Sequence, residues 1–103
     1  MKIVRDYQGR EVRITGERLR HILEHSEMGN LEGALEETIR HPQFVIQSQT
    51  DPSAELNYPF FVGTKVGDKW LCVVINYSVS DAFVVTAYLT DQLKKGRRIW
   101  PTE

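Results

Sequence analysis

Trp70-Leu-Cys-Val-Val-Ile-Asn-Tyr77 is apolar at both odd and even positions. A strand with one wet face alternates; a run apolar at both parities suits a central strand covered on both faces. Turn chemistry brackets it, in VGDK (66–69) and SVSD (78–81). YPFFVGT (58–64) lies before it, with Pro59 marking a strand start or edge, and AFVVTAYLT (82–90) lies after it. Residues 59–90 therefore read as an antiparallel meander. QFVIQSQ (43–49) adds a strand, whereas TDPSAELN (50–57) is polar, lacks periodicity and reads as a loop. In AFVVTAYLT, Phe83, Val85, Ala87 and Leu89 share one parity and are expected to face the helices. Ala82, Val84, Thr86, Tyr88 and Thr90 share the other.

The N-terminal half has a different period. KIVRDYQGREVRI (2–14) has two alternating pieces around Gly9, which predicts a hairpin. Thr15 is the N-cap expected for a helix over GERLRHILEHSEM (16–28), with Leu19, Ile22 and Leu23 in one stripe. Gly29 and Asn30 suit a stop and a new start. LEGALEETIRH (31–41) continues as a second amphipathic helix, ended by Pro42. The expectation is one α+β domain over residues 1–103: an N-terminal hairpin and two helices packed on a four-stranded antiparallel sheet.

Composition narrows the chemistry. The chain has 103 residues, 41% hydrophobic and 26% charged, with a formal net charge of −1. Such a chain has no global basic field to attract nucleic acid, so a polyanion site must be local. Cys72 is the only cysteine, which rules out an internal disulfide and a cysteine zinc cluster. Within its apolar run it reads as a small buried hydrophobe. The N-terminus has no apolar signal-peptide region and no apolar run is long enough to span a bilayer. The chain reads as cytoplasmic, or as a domain cut from something larger.

Three constellations carry candidate chemistry. HILEH (21–25) has the H-x-x-E-H spacing of a class of zinc proteases. On a continuous helix, Arg18, His21 and His25 form a stripe beside the apolar face, a margin where a catalytic imidazole is partly desolvated yet meets substrate. The bland alternative is two solvated histidines. Zinc fits poorly, since a catalytic ion needs a third ligand and only His41 and scattered carboxylates remain. Thr86, Tyr88 and Thr90 form a column of hydroxyls, or simply a half-exposed strand face. Lys94, Lys95, Arg97 and Arg98 place four cations in five residues. They are candidate phosphate ligands, or a solvated terminal run. Trp100 beside them is placed to stack on a base or to close the core.

The order D-x-x-G-R-x-V-x-I-T-x-E-R-x-x-H-I-x-x-x-H-x-E-M (Asp6 to Met28), then I-R-H-P-Q-F-V, F-V-V-T-A-Y-L-T and K-K-G-R-R-I-W, covers nearly the whole chain. It resembles small phage- and plasmid-associated proteins grouped with the barnase–EndoU–colicin–RelE-like nucleases. The resemblance implies a barnase/RelE-like scaffold and metal-independent, toxin-like RNA cleavage without a cofactor. It implies catalytic roles for His21, His25 and Thr86, and a phosphate-binding role for Lys94 to Arg98. Tyr88 and Arg18 join these from their positions. RNA and an antitoxin or immunity protein are the partners that follow. Two other functions stay open: a non-enzymatic module binding nucleic acid or protein, and a zinc hydrolase.

Overall fold

The computed structural model describes residues 1–102. Eight strands form a single mixed sheet: β1 (Lys2–Arg5), β2 (Glu11–Ile14), β3 (Phe44–Gln47), β4 (Ala54–Tyr58), β5 (Phe60–Thr64), β6 (Gly67–Tyr77), β7 (Ala82–Thr90) and β8 (Arg98–Trp100). The helices are α1 (Gly16–Leu23) and α2 (Glu32–Arg40), joined through a 3-10 turn at Ser26–Met28. The strand order is β1-β2-β7-β6-β4-β3-β8, with β5 pairing only β6.

The four-stranded antiparallel sheet expected from the sequence is therefore incorrect, for three physical reasons. First, the N-terminal hairpin is not separate. Its second strand joins β7 in parallel through Arg13 and Phe83. Second, residues 54–58 are a strand rather than a loop. Its polar members hide the pattern: Asn57 is buried and donates to the Val73 carbonyl, while Glu55 receives Arg10 and Tyr7. Third, the basic C-terminal run does not end in solvent. Arg98–Trp100 pair with β3 at Val45 and Ile46. The meander β5-β6-β7 is antiparallel throughout.

On β6, Leu71, Cys72, Val73 and Ile75 are completely buried. One face carries Leu71, Val73 and Ile75 into a core with Ile22, Met28, Leu35 and Ile39 from the helical segment. The other face carries Cys72 into a smaller cluster with Ile46, Leu56 and Tyr58, rimmed by Phe44, Trp70, Val74, Tyr88 and Leu93. No helix belongs to that second cluster. Aromatic edges close it instead, with Trp70 in contact with Phe44, Tyr58 and Phe60 at centroid distances of 5.5, 6.4 and 5.0 Å.

The inward parity expected for β7 holds for only half the strand. Ala87 and Leu89 pack with the helix-side core, but so do Ala82 and Val84, while Phe83 and Val85 are half-buried. The cause is a bulge. Val74 pairs with Thr86 but Ile75 pairs with Val84, so Val85 is an extra residue and the alternation flips there.

The two ends of the sheet meet. Tyr7, in the β1–β2 turn, packs against Trp100 of β8 with ring centroids 5.5 Å apart. The turn is rigid: the Asp6 carboxylate accepts from the Gln8 and Arg10 backbone amides, Arg10 Nε and the Tyr77 hydroxyl, and Gly9 takes φ +82°. Arg10 then reaches Glu55 at 3.1 Å and lies 3.9 Å over the Tyr77 ring. Burial, then the Glu55 charge, pushes the Tyr7 hydroxyl up to about 12.

Two predictions follow from this packing. Leu35 is wholly buried, so Leu35→Ala should cost about 2–5 kcal/mol by transfer and cavity terms, read by denaturant titration. Tyr7 binds its proton more tightly in the folded state than the ordinary value near 10 of the unfolded chain. Stability should therefore fall as pH rises from about 10 towards 12. The drop between pH 9 and 11 should be smaller in Tyr7→Phe than in the wild type; equal drops would show that this phenol does not contribute.

Candidate functional site

Thr15 caps α1, its Oγ1 accepting from the Arg18 amide at 3.1 Å, and Glu17 in the first turn complements the helix dipole. Ile22 is buried and anchors the helix, with Leu19 and Leu23 packed beside it. α1 lies against β7. Because β2 pairs with β7 only near Phe83, the edge from Val85 to Thr90 has no strand partner on that side among the described residues. Between α1 and this edge runs an open cleft of about 300 Å³, lined by Glu17, Arg18, His21, Ile22, Glu24, His25 and Thr86.

The cleft unites Arg18, His21, His25 and Thr86, but not by the geometry expected. α1 ends at Leu23, and His25 lies beyond it in an extended conformation (φ −71°, ψ 125°). The stripe of Arg18, His21 and His25 on one continuous helix is therefore interrupted. The break has a reason. The chain must turn for Met28 to enter the core, where it is 1% exposed, and the Met28 amide bonds back to the His25 carbonyl at 2.8 Å. His25 is thus presented by the turn and His21 by the helix. His21 Nδ1 stands 3.6 Å from Glu24 Oε1, and both side chains are more than half exposed. The histidine pair has no third ligand: among the described residues, no three His, Cys, Asp or Glu side chains are grouped to hold a metal ion.

Tyr88 borders the neighbouring hollow with His25, Thr86 and Met28. It also borders a pocket on the opposite side, with Val85 and Lys94. Burial raises its hydroxyl well above the ordinary phenol range, and Cys72 beside it adds to the shift. It stays a donor at any working pH. Cys72 is buried and its thiol is likewise raised by burial, which makes it inert as a nucleophile.

The basic run does not converge on the cleft. Lys94 lines the pocket beside Tyr88, and its backbone amide donates to the Tyr58 hydroxyl at 3.1 Å. Lys95 and Arg97 are exposed. Arg98 sits on β8 with its guanidinium 4.7 Å over the Phe44 ring. β8 is four strand steps from β7 in the sheet order. Glu17 and Glu24, which helical spacing turns further around towards water, are exposed and also line the cleft on either side of His21.

No helix among the described residues is long and apolar enough to cross a membrane. The chain matches no protein-family model, no curated protein and no solved structure.

The docking of the basic run depends on Gly96. A β-carbon there would overlap the Gln47 backbone oxygen and stand 2.8 Å from Ile46 Cγ2. Gly96→Ala should lower stability by about 1 kcal/mol or more, because the obstacle is backbone. A melt indistinguishable from wild type would show that β8 can leave β3 without consequence.

Proposed function

We propose that the protein is a metal-independent ribonuclease whose reaction centre is the cleft between α1 and the edge of β7. One observation carries this reading: Arg18, His21, His25 and Thr86 line a single cleft, though they come from a helix, a turn and a strand. Each residue type matches a demand of the reaction. RNA carries a 2′-hydroxyl beside every phosphate. A base removes that proton, the 2′-oxygen bonds to phosphorus, and the bond from phosphorus to the 5′-oxygen breaks as an acid protonates the leaving oxygen. The products are a 2′,3′-cyclic phosphate and a free 5′-hydroxyl.

His21, on the helix side of the cleft 3.6 Å from the Glu24 carboxylate, takes the role of the base. His25, which borders both the cleft and the hollow it shares with Thr86 and Tyr88, suits the acid. Arg18 balances the charge that grows on the phosphorane, and the Thr86 hydroxyl is a donor to its oxygens. The second reading is a non-catalytic module for single-stranded nucleic acid. It is favoured by the distance of Lys95, Arg97 and Arg98 from the cleft, which separates the strongest polyanion attraction from the candidate chemistry.

Incubation of pure protein with mixed RNA tests both. Cleavage should be unaffected by chelator and bell-shaped in pH, because one imidazole must be charged and the other neutral. His21→Ala and His25→Ala should each lower it by about 10²–10⁴-fold with the fold intact. The double variant should be far less than multiplicatively worse. Full activity in both single variants would remove the acid–base pair. Binding without cleavage in the wild type would leave the non-catalytic module as the better account.

A further inference from the structure

His25 reaches the cleft on a weakly anchored span. Ile22 is buried before it and Met28 after it, but Glu24, His25 and Ser26 in between are exposed. The 3-10 turn that follows is closed by the Met28 amide on the His25 carbonyl at 2.8 Å and by a long bond, 3.4 Å, from the Gly29 amide to the Ser26 carbonyl. The His25 side chain makes no capping bond to the turn. Apolar burial therefore fixes where the turn sits, but not the peptide that carries the imidazole.

A distant residue reaches that peptide. Lys65 Nζ donates to the Ser26 carbonyl at 3.0 Å, across 39 positions of sequence. An ammonium on a carbonyl is a charge-assisted bond. The same ammonium lies over Gly29, where a β-carbon would stand 3.5 Å from it. It thus spans the turn from its first residue to the one after its last.

The tip of the β5–β6 hairpin is ordered so as to aim this lysine. Phe61 packs on the helix-side core and holds the hairpin near its base. Beyond it the register shifts between Phe61 and Thr64, an irregularity of the kind that re-aims side chains. The Gly63 amide donates to the Asp68 carboxylate at 2.8 Å, the Val66 amide to the Thr64 hydroxyl at 3.2 Å, and that hydroxyl to the Gly67 carbonyl. Gly63 and Gly67 take φ +76° and +100°, which residues with a β-carbon rarely adopt. These bonds order a tip whose Val62 and Val66 are exposed and anchor nothing.

We infer that Lys65 is a positioning residue for His25: from the hairpin tip it pins the turn that presents the imidazole to the cleft. The inference rests on the ribonuclease reading for its effect on catalysis, and not for its effect on the turn. One exposed hydrogen bond adds little to global stability. Its loss should therefore act on local opening of the turn and leave unfolding of the whole chain unchanged.

Lys65→Met and Lys65→Arg in the full chain test it, with amide hydrogen exchange read residue by residue by NMR. In Lys65→Met the Met28 amide should lose about two- to tenfold of its protection, the equivalent of one hydrogen bond. The Leu35 amide, bonded to the Leu31 carbonyl, should keep its own protection, and the melting temperature should not move. Lys65→Arg retains a charged donor and should restore Met28. Where RNA is cleaved, Lys65→Met should lower kcat by about tenfold or more with KM unchanged, and Lys65→Arg should recover it. Unaltered Met28 exchange in Lys65→Met would overturn the pin. A raised KM with unchanged kcat would overturn it as well, since Lys65 would then hold substrate phosphate and not the turn. Loosened Met28 exchange in a protein that cuts no RNA would keep the pin and remove the ribonuclease. Cleavage by Lys65→Met with wild-type kcat and KM would remove the positioning role and leave the ribonuclease standing.

Discussion

β6 must be buried on both faces while bonded on both edges, and every other element is placed by that requirement. Its odd positions, Leu71, Val73 and Ile75, need a layer of apolar side chains, supplied by the helical segment together with Val4, Val12 and Ile14 of the hairpin. Its even positions, led by Cys72, need cover on the other side, and there is no third layer to give it. The chain solves this with large rings at the rim. Tyr58, Trp70, Phe44 and Tyr88 lean over a small patch, so a short chain with one helical layer still has a two-sided central strand. The same economy leaves the second face partly open, and the pocket lined by Val85, Tyr88 and Lys94 lies there.

The sheet is held in its curl by polar contacts rather than by more apolar area. Asp6, Arg10, Glu55, Tyr7 and Tyr77 form one network between the first turn and β4 and β6. Each charge has a partner, which is the condition for placing carboxylates and a guanidinium in a half-buried position. Burial weakens the Arg10 cation, yet Glu55, Tyr77 and Asp6 outweigh it and the guanidinium stays charged. The network joins residues 45 or more positions apart, so it ties the N-terminal hairpin to the sheet where β2 alone makes only one bridge.

What the sequence made legible is what depends on short-range periodicity. The hairpin around Gly9, the cap at Thr15, the ends of the meander and the two-sided burial of Leu71 to Ile75 are all local patterns. The failures are long-range. Asn57 and Glu55 look like loop residues until their partners, Val73 and Arg10, arrive from elsewhere in the chain. The bulge at Val85 has no letter of its own, since valine suits a regular strand equally well, and one extra residue inverts half of β7. His25 looked helical because nothing in Glu24-His25-Ser26 forbids a helix; only the burial of Met28 does. The candidate site was legible in its members, Arg18, His21, His25 and Thr86, and not in its geometry. The basic run was legible as charge and misleading as location, because pairing of β8 with β3 carries it to the far edge of the sheet.

The openness of the cleft limits what the proposed reaction could draw on. His21 and Glu24 are both more than half exposed, and Arg18 is exposed as well. In such a place water and salt weaken any fixed charge, with a screening length of about 8–10 Å. Two carboxylates, Glu17 and Glu24, further offset the field of Arg18. Electrostatic stabilisation of the kind found in dry, enclosed sites is therefore small here. Proton transfer suffers less from exposure, because it depends on contact between an imidazole and one oxygen rather than on a field. Positioning then becomes the scarce quantity. For the proposed reaction, the helix that presents His21 and the turn that presents His25 would have to supply it.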